Sequence, residues 1–167
     1  MIGLNYSVGG WIKYTTNSTN SSIIFHLNGN DYNALNTNSA IYIQITASSG
    51  LLQAISYLVN GSKSVTTYTI PNSSIGKWRT EFSHIVVTVQ SNEEKTQFTT
   101  KLYFNGIIVA TKITNGKQKT PYGLRLGYSY EAQYYNIYDE MFISKPLTDE
   151  EIQYIYNSGN GRSWDDL

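Results

Sequence analysis

Hydrolysis of a sugar chain needs two carboxylates flanking one glycosidic bond, about 5–5.5 Å apart in retaining enzymes. On a strand, residues two apart share a face, so the sequence signal is Glu-x-Asp-x-Glu or a close variant. It is absent. Asp139 and Glu140 are adjacent, and strict strand alternation points them to opposite faces. Glu93 and Glu94 fall in a polar turn. His26 and His84 have no evident Ser or Asp partner along the chain, and there is no cysteine for nucleophilic or thiolate chemistry. These absences predict a protein that is not an enzyme, with a degenerate glycosidase as the remaining catalytic alternative.

Residues suited to recognition are abundant. Sugar binding uses aromatic faces for stacking and amides for hydroxyl groups. Tyr128, Tyr130, Tyr134 and Tyr135 crowd one region together with Gln133, and Tyr32 stands in the polar Asn28–Asn38 stretch. Exposed tyrosines give large contact area at low entropic cost. These six residues are the expected ligand-binding set. Fifteen tyrosines in the chain make some local crowding a matter of composition.

The partners are bounded by charge. Twelve Lys+Arg balance twelve Asp+Glu, which argues against nucleic acid, since phosphate neutralisation needs a basic surplus. No apolar run approaches the roughly 18–20 residues that span a bilayer, and Met1 is not followed by a secretory signal pattern. Asn-x-Ser/Thr sequons, among them those at Asn17, Asn20, Asn60 and Asn72, carry no information beyond composition.

Elements that would position these residues are legible as period-two alternation. Tyr6, Val8, Gly10, Ile12 and Tyr14 share one strand face, and Ile41, Ile43 and Ile45 share another. Asn60-Gly61 and Asn105-Gly106 mark hairpin turns between strand-like segments. Some ten short strands in 167 residues predict one all-β domain over 1–167, a sandwich or barrel. One segment differs. Thr148 and Glu151 form a capping box, Leu147 and Ile152 occupy the staple positions, and Gly159 is the expected left-handed stop. One short C-terminal helix is therefore expected.

Tyr6-Ser-Val-Gly-Gly-Trp-Ile-Lys-Tyr14, Gly76-Lys-Trp78 before His84–Val89, Lys101–Ala110, Leu124–Gly127 and Ile137–Gly159 follow one another in the order of a known pattern. Together they resemble the laminin G-like and pentraxin-like domains of the concanavalin A-like superfamily. The resemblance implies a two-sheet antiparallel jelly-roll sandwich. Members usually carry several tens of residues before the Trp strand. Here the chain is either trimmed, filled by Ile41–Ile70, or completed by a strand from a neighbouring subunit. The resemblance also implies calcium at the sandwich rim, with Asp31, Asn28 and Asn30 as loop candidates and Asp139 at the family's Asp-Glu position.

The expected function is a non-catalytic recognition module for glycans or a protein surface. Its Asn-, Ile-, Lys- and Tyr-rich composition points to a phage or other virus, as a capsid-decorating or fibre adhesion domain on a virion surface or in the extracellular space. A purely structural virion component, forming a homo-oligomer or meeting other virion subunits, is the alternative.

Overall fold

A computed structural model describes residues 3–14, 21–28, 39–46, 48–71, 80–128 and 136–160. Among the described residues, ten strands run in chain order as β1 (Tyr6–Tyr14), β2 (Ser21–Asn28), β3 (Ser39–Thr46), β4 (Leu51–Tyr57), β5 (Lys63–Thr69), β6 (Ser83–Ser91), β7 (Gln97–Phe104), β8 (Ile107–Asn115), β9 (Gly123–Tyr128) and β10 (Asn136–Ser144). One helix follows, α1 (Asp149–Tyr156). The strands form two antiparallel five-stranded sheets, ordered β10-β1-β6-β7-β8 and β5-β4-β3-β2-β9. The architecture is an all-β jelly-roll sandwich with one short C-terminal helix. The stretch Ile41–Ile70 supplies most of β3, β4 and β5, three of the five strands in the second sheet.

Alternation decides which side chains enter the core. Tyr6, Val8 and Ile12 of β1, Ile85, Val87 and Val89 of β6, and Phe98 and Leu102 of β7 point inward and are buried. Phe25, Leu27, Ile41, Ile43, Ile45 and Leu52 meet them from the other sheet. Burying each such side chain stabilises the fold by about 1.5–3 kcal/mol. The fully buried Tyr6 is satisfied, since Gln118 Nε2 donates to its hydroxyl at 2.8 Å.

On one side the sheets are tied edge to edge. Ser64 on β5 bonds Thr114 on β8 at 2.6 Å, and Lys112 Nζ donates to the Val65 carbonyl at 3.1 Å. The Asn105-Gly106 hairpin turns as expected, both residues having positive φ (50° and 76°).

The helix lies on the outer face of the first sheet, where Val86, Tyr103 and Phe142 form a second apolar layer with Ile152 and Leu147. Its start is as the sequence predicts. Glu151 N donates to Thr148 Oγ1 at 3.1 Å, and Thr148 N donates to Glu151 Oε2 at 2.7 Å. Its end differs. The left-handed cap is Asn157 (φ 45°), followed by Ser158 (φ 54°), two residues before Gly159. Asparagine tolerates this conformation well enough to stop the helix early.

Candidate functional site

A cavity of about 600 Å³ opens on the outer face of the first sheet, at the C-terminal end of α1. Trp11 of β1 and Tyr156 of α1 line it, with Phe82 before β6 and Asn105 at the β7–β8 turn. Glu81, Asp139 and Glu140 add three exposed carboxylates, and Ser158 and Asn160 close the helix side. Five separate chain segments therefore meet here.

The presence of both Asp139 and Glu140 corrects the expectation from strict alternation. Gly9 pairs with Phe142 and Trp11 with Asp139, so two steps along β1 match three along β10. The extra residue is a β-bulge, with Glu140 in the left-handed region at φ 47°. A bulge re-aims side chains that a flat strand would separate. Gly10 makes room for it: a Cβ there would meet the Met141 sulfur, the Met141 Cα at 2.9 Å and the Glu140 carbonyl at 3.0 Å.

An aromatic stack supports the cavity. Trp11 stacks on Tyr156 at 5.6 Å and lies 5.1 Å from the His84 ring, which in turn stacks on Tyr156 at 6.0 Å. His84 is fully buried, and neither ring nitrogen has a hydrogen-bond partner. Burial lowers its pKa to about 4, so the ring is neutral at pH 7. Asn105 is clamped to the same residue. Its Oδ1 accepts from His84 N at 2.9 Å, and its own N–H donates to the His84 carbonyl at 2.8 Å. Gly106, at φ 76°, lets the turn pass under Tyr156.

The outer face of the second sheet is different in character. Pairing places His26, Tyr42 and Ile55 side by side across β2, β3 and β4, with Gln44 opposite Gln53 one rung away. Tyr42 lies 6.2 Å from Tyr57 and meets His26 edge-on at 6.3 Å. Gln44 Nε2 donates to Gln53 Oε1 at 2.6 Å. Both tyrosines and both glutamines are partly exposed. His26 gains the partner that linear inspection lacks, since its Nε2 lies 2.8 Å from Ser39 Oγ across the β2–β3 pair. Its Nδ1 has no partner, so no third group orients it as in a catalytic triad. Burial, reinforced by the charge of Arg125, lowers its pKa to about 4.

The expected binding residues fare unevenly. Tyr32, Tyr130, Gln133, Tyr134, Tyr135 and Asp31 lie outside the described residues, and Tyr128 is placed only by its backbone, paired to Ile23. Asn28 is buried at the end of β2, in a different sheet from Asp139 on β10. Among the described residues, no group of three or more His, Asp or Glu is arranged to hold a metal ion. Glu81, Phe82 and Ser158 carried no sequence signal, and Asn105 was legible only as a turn residue; the one available clue was Gly10 on an otherwise apolar strand face.

A family model described as the concanavalin A-like lectin/glucanases superfamily matches residues 3–153. The chain belongs to this superfamily. No curated protein sequence matches this concanavalin A-like domain. Among solved structures it is similar to the botulinum neurotoxin type G receptor-binding domain, with a TM-score of 0.68 and 13% identity, covering 92% of this chain and 38% of that one. It is also similar to the binding domain of botulinum neurotoxin DC solved with SialylT, with a TM-score of 0.64, 16% identity, and coverage of 92% and 35%. The same binding domain solved with rat synaptotagmin II gives a TM-score of 0.60, 18% identity, and coverage of 92% and 35%. The concanavalin A-like domain thus spans under two fifths of those chains, and the likeness is one of fold.

Proposed function

We propose that this domain is a non-catalytic recognition module that binds glycan chains on the outer face of its second sheet. The observation that carries the reading is the platform of Tyr42 and Tyr57, 6.2 Å apart, beside the Gln44–Gln53 amide pair. Tyrosine faces stack on the apolar faces of sugar rings, and amides both donate to and accept from hydroxyl groups. Membership of a lectin-containing superfamily supports the reading, as do solved structures of the same fold that are named as receptor-binding domains.

Glucanases occur in the same superfamily, and three carboxylates line the first-sheet cavity. All three are exposed, whereas a general acid for glycoside cleavage is one whose burial keeps it protonated near neutral pH. Binding without turnover is the reading adopted. Its setting on a virion surface or in the extracellular space, with association to other virion subunits, is part of the proposal; capsid and tail genes beside this one would support it.

The test is a glycan array probed with the wild-type domain, Tyr42→Ala and Tyr57→Ala, each with and without calcium. Loss of binding at unchanged melting temperature in the variants supports the platform. No glycan bound in either condition overturns the lectin reading. Binding kept by both variants but lost in Tyr130→Ala or Tyr134→Ala moves the site to the Tyr128–Tyr135 segment. A calcium requirement would support the rim-metal expectation.

A further inference from the structure

The first-sheet cavity is lined by carboxylates and by no described cation. At the helix two carboxylates have cationic partners: Asp149 pairs with Lys101 at 2.8 Å, and Glu151 with Lys145 at 3.8 Å. Among the described residues, Glu81, Asp139 and Glu140 form no ion pair, and no Lys or Arg lines the cavity with them. A chain with zero net charge thus gathers, around one opening, three carboxylates that no described cation neutralises.

The arrangement does not suit a metal ion. Calcium needs six to eight oxygens converging at about 2.3–2.6 Å, and these carboxylates do not form such a group. They are spread around a cavity that has an apolar wall of Phe82 and Tyr156. A larger cation carried on a hydrocarbon stem matches both features, because the stem packs on the rings while the charge meets the carboxylates. One further group points to a ligand. Trp11 lines the cavity, is only 8% exposed, and its indole N–H has no hydrogen-bond partner. An indole N–H needs an acceptor. A peptide that delivers a basic side chain also brings backbone carbonyls, which accept.

We propose that this cavity receives a basic side chain, arginine before lysine, from a protein partner. The planar guanidinium favours arginine because its forked N–H groups bond two carboxylates or one bidentately. The site lies on the opposite face of the sandwich from the Tyr42–Tyr57 platform, so the two readings stand or fall separately.

The test is an amide-resolved NMR titration of the intact domain with Nα-acetyl-arginine amide. The uncharged isostere Nα-acetyl-citrulline amide, choline and calcium ion serve as separate arms. The expected result is shifts at the Trp11 indole and Asn105 with the arginine probe, and binding at least about tenfold weaker with citrulline. The double variant Asp139→Asn/Glu140→Gln and the single variant Glu81→Gln should each weaken arginine binding by a similar factor and leave the melting temperature unchanged, since all three side chains are exposed. Equal binding of citrulline, or no binding of arginine, overturns the proposal. So does tighter binding of choline, which makes the site one for a quaternary ammonium ligand, or of calcium, which makes it a metal site. Variants that bind arginine like the wild type overturn it as well.

Discussion

Acid should weaken this domain well before its carboxylates protonate, and His84 gives the size of the effect. Its pKa is held at about 4 by burial, against an ordinary value of 6.5. Above pH 6.5 the ring is neutral in both the folded and unfolded chain, and it costs nothing. As pH falls below that value the unfolded chain takes up a proton that the folded one refuses. Stability therefore drops until the pH reaches the folded pKa, by about 3 kcal/mol in all. Between the ordinary histidine value and about pH 4.5 the loss from this residue is about 2 kcal/mol. The measurement is urea unfolding at those two pH values, followed by tryptophan fluorescence, on wild type and His84→Phe. The substitution keeps an aromatic ring against Trp11, Tyr156 and Phe142 and removes no side-chain hydrogen bond. The variant should lose about 2 kcal/mol less over this interval. His26 titrates in the same direction and persists in both proteins, so it cancels in the difference. Asp149, whose carboxyl is held below its usual value by bonds from Lys101 and Tyr103, loses its contribution only at still lower pH. Equal acid sensitivity of wild type and variant would refute the account of a buried, unprotonated His84.

Two further expectations bear on the frame around the cavity. Gly106→Ala forces a left-handed turn on a residue with a Cβ, and that atom would stand 2.7 Å from Tyr156 Cδ1 and 2.9 Å from its Cβ. A loss of about 1–3 kcal/mol in thermal or urea unfolding is expected, together with weaker binding in the cavity because Tyr156 must move. Thr148→Ala removes one half of the capping box, and a loss of about 1 kcal/mol is expected, read as a lowered melting temperature with no change at the second-sheet platform.

Much of the fold was legible because it follows from local rules. The alternation of Tyr6, Val8 and Ile12 and of Ile41, Ile43 and Ile45 names the core faces directly. Asn105-Gly106 names a turn, and Thr148 with Glu151 names a helix start. The cavity was not legible for a corresponding reason. Glu81, Trp11, Asp139 and Tyr156 come from segments that only tertiary packing joins. Asp139 and Glu140 were assigned to opposite faces because alternation has no term for an inserted residue, and the bulge is set by pairing with β1. Likewise His26 and Ser39 become neighbours only when β2 and β3 pair with a register shift. The platform tyrosines Tyr42 and Tyr57 were hidden by their ordinariness, since a tyrosine on an alternating strand carries no signal until its neighbours across the sheet are known.

The bulge at Glu140 also constrains how this domain can change over evolutionary time. Deleting that one residue would not simply remove an acid. It would restore plain alternation to β10, leave Asp139 opposite Trp11 and Tyr138 opposite Ile12, and so keep Tyr138, whose hydroxyl donates to the Ile24 carbonyl at 2.6 Å, facing the opposite sheet. A lineage that abandoned the acidic cavity could do so by substitution, exchanging Asp139 or Glu140 for neutral residues. It could also do so by deleting Glu140, because the cross-sheet tie at Tyr138 survives the loss of the bulge. Loss of a single residue should therefore be tolerated at Glu140 and not at its neighbours in descendants of this chain, while the identities of the two acids drift with whatever the cavity is asked to hold.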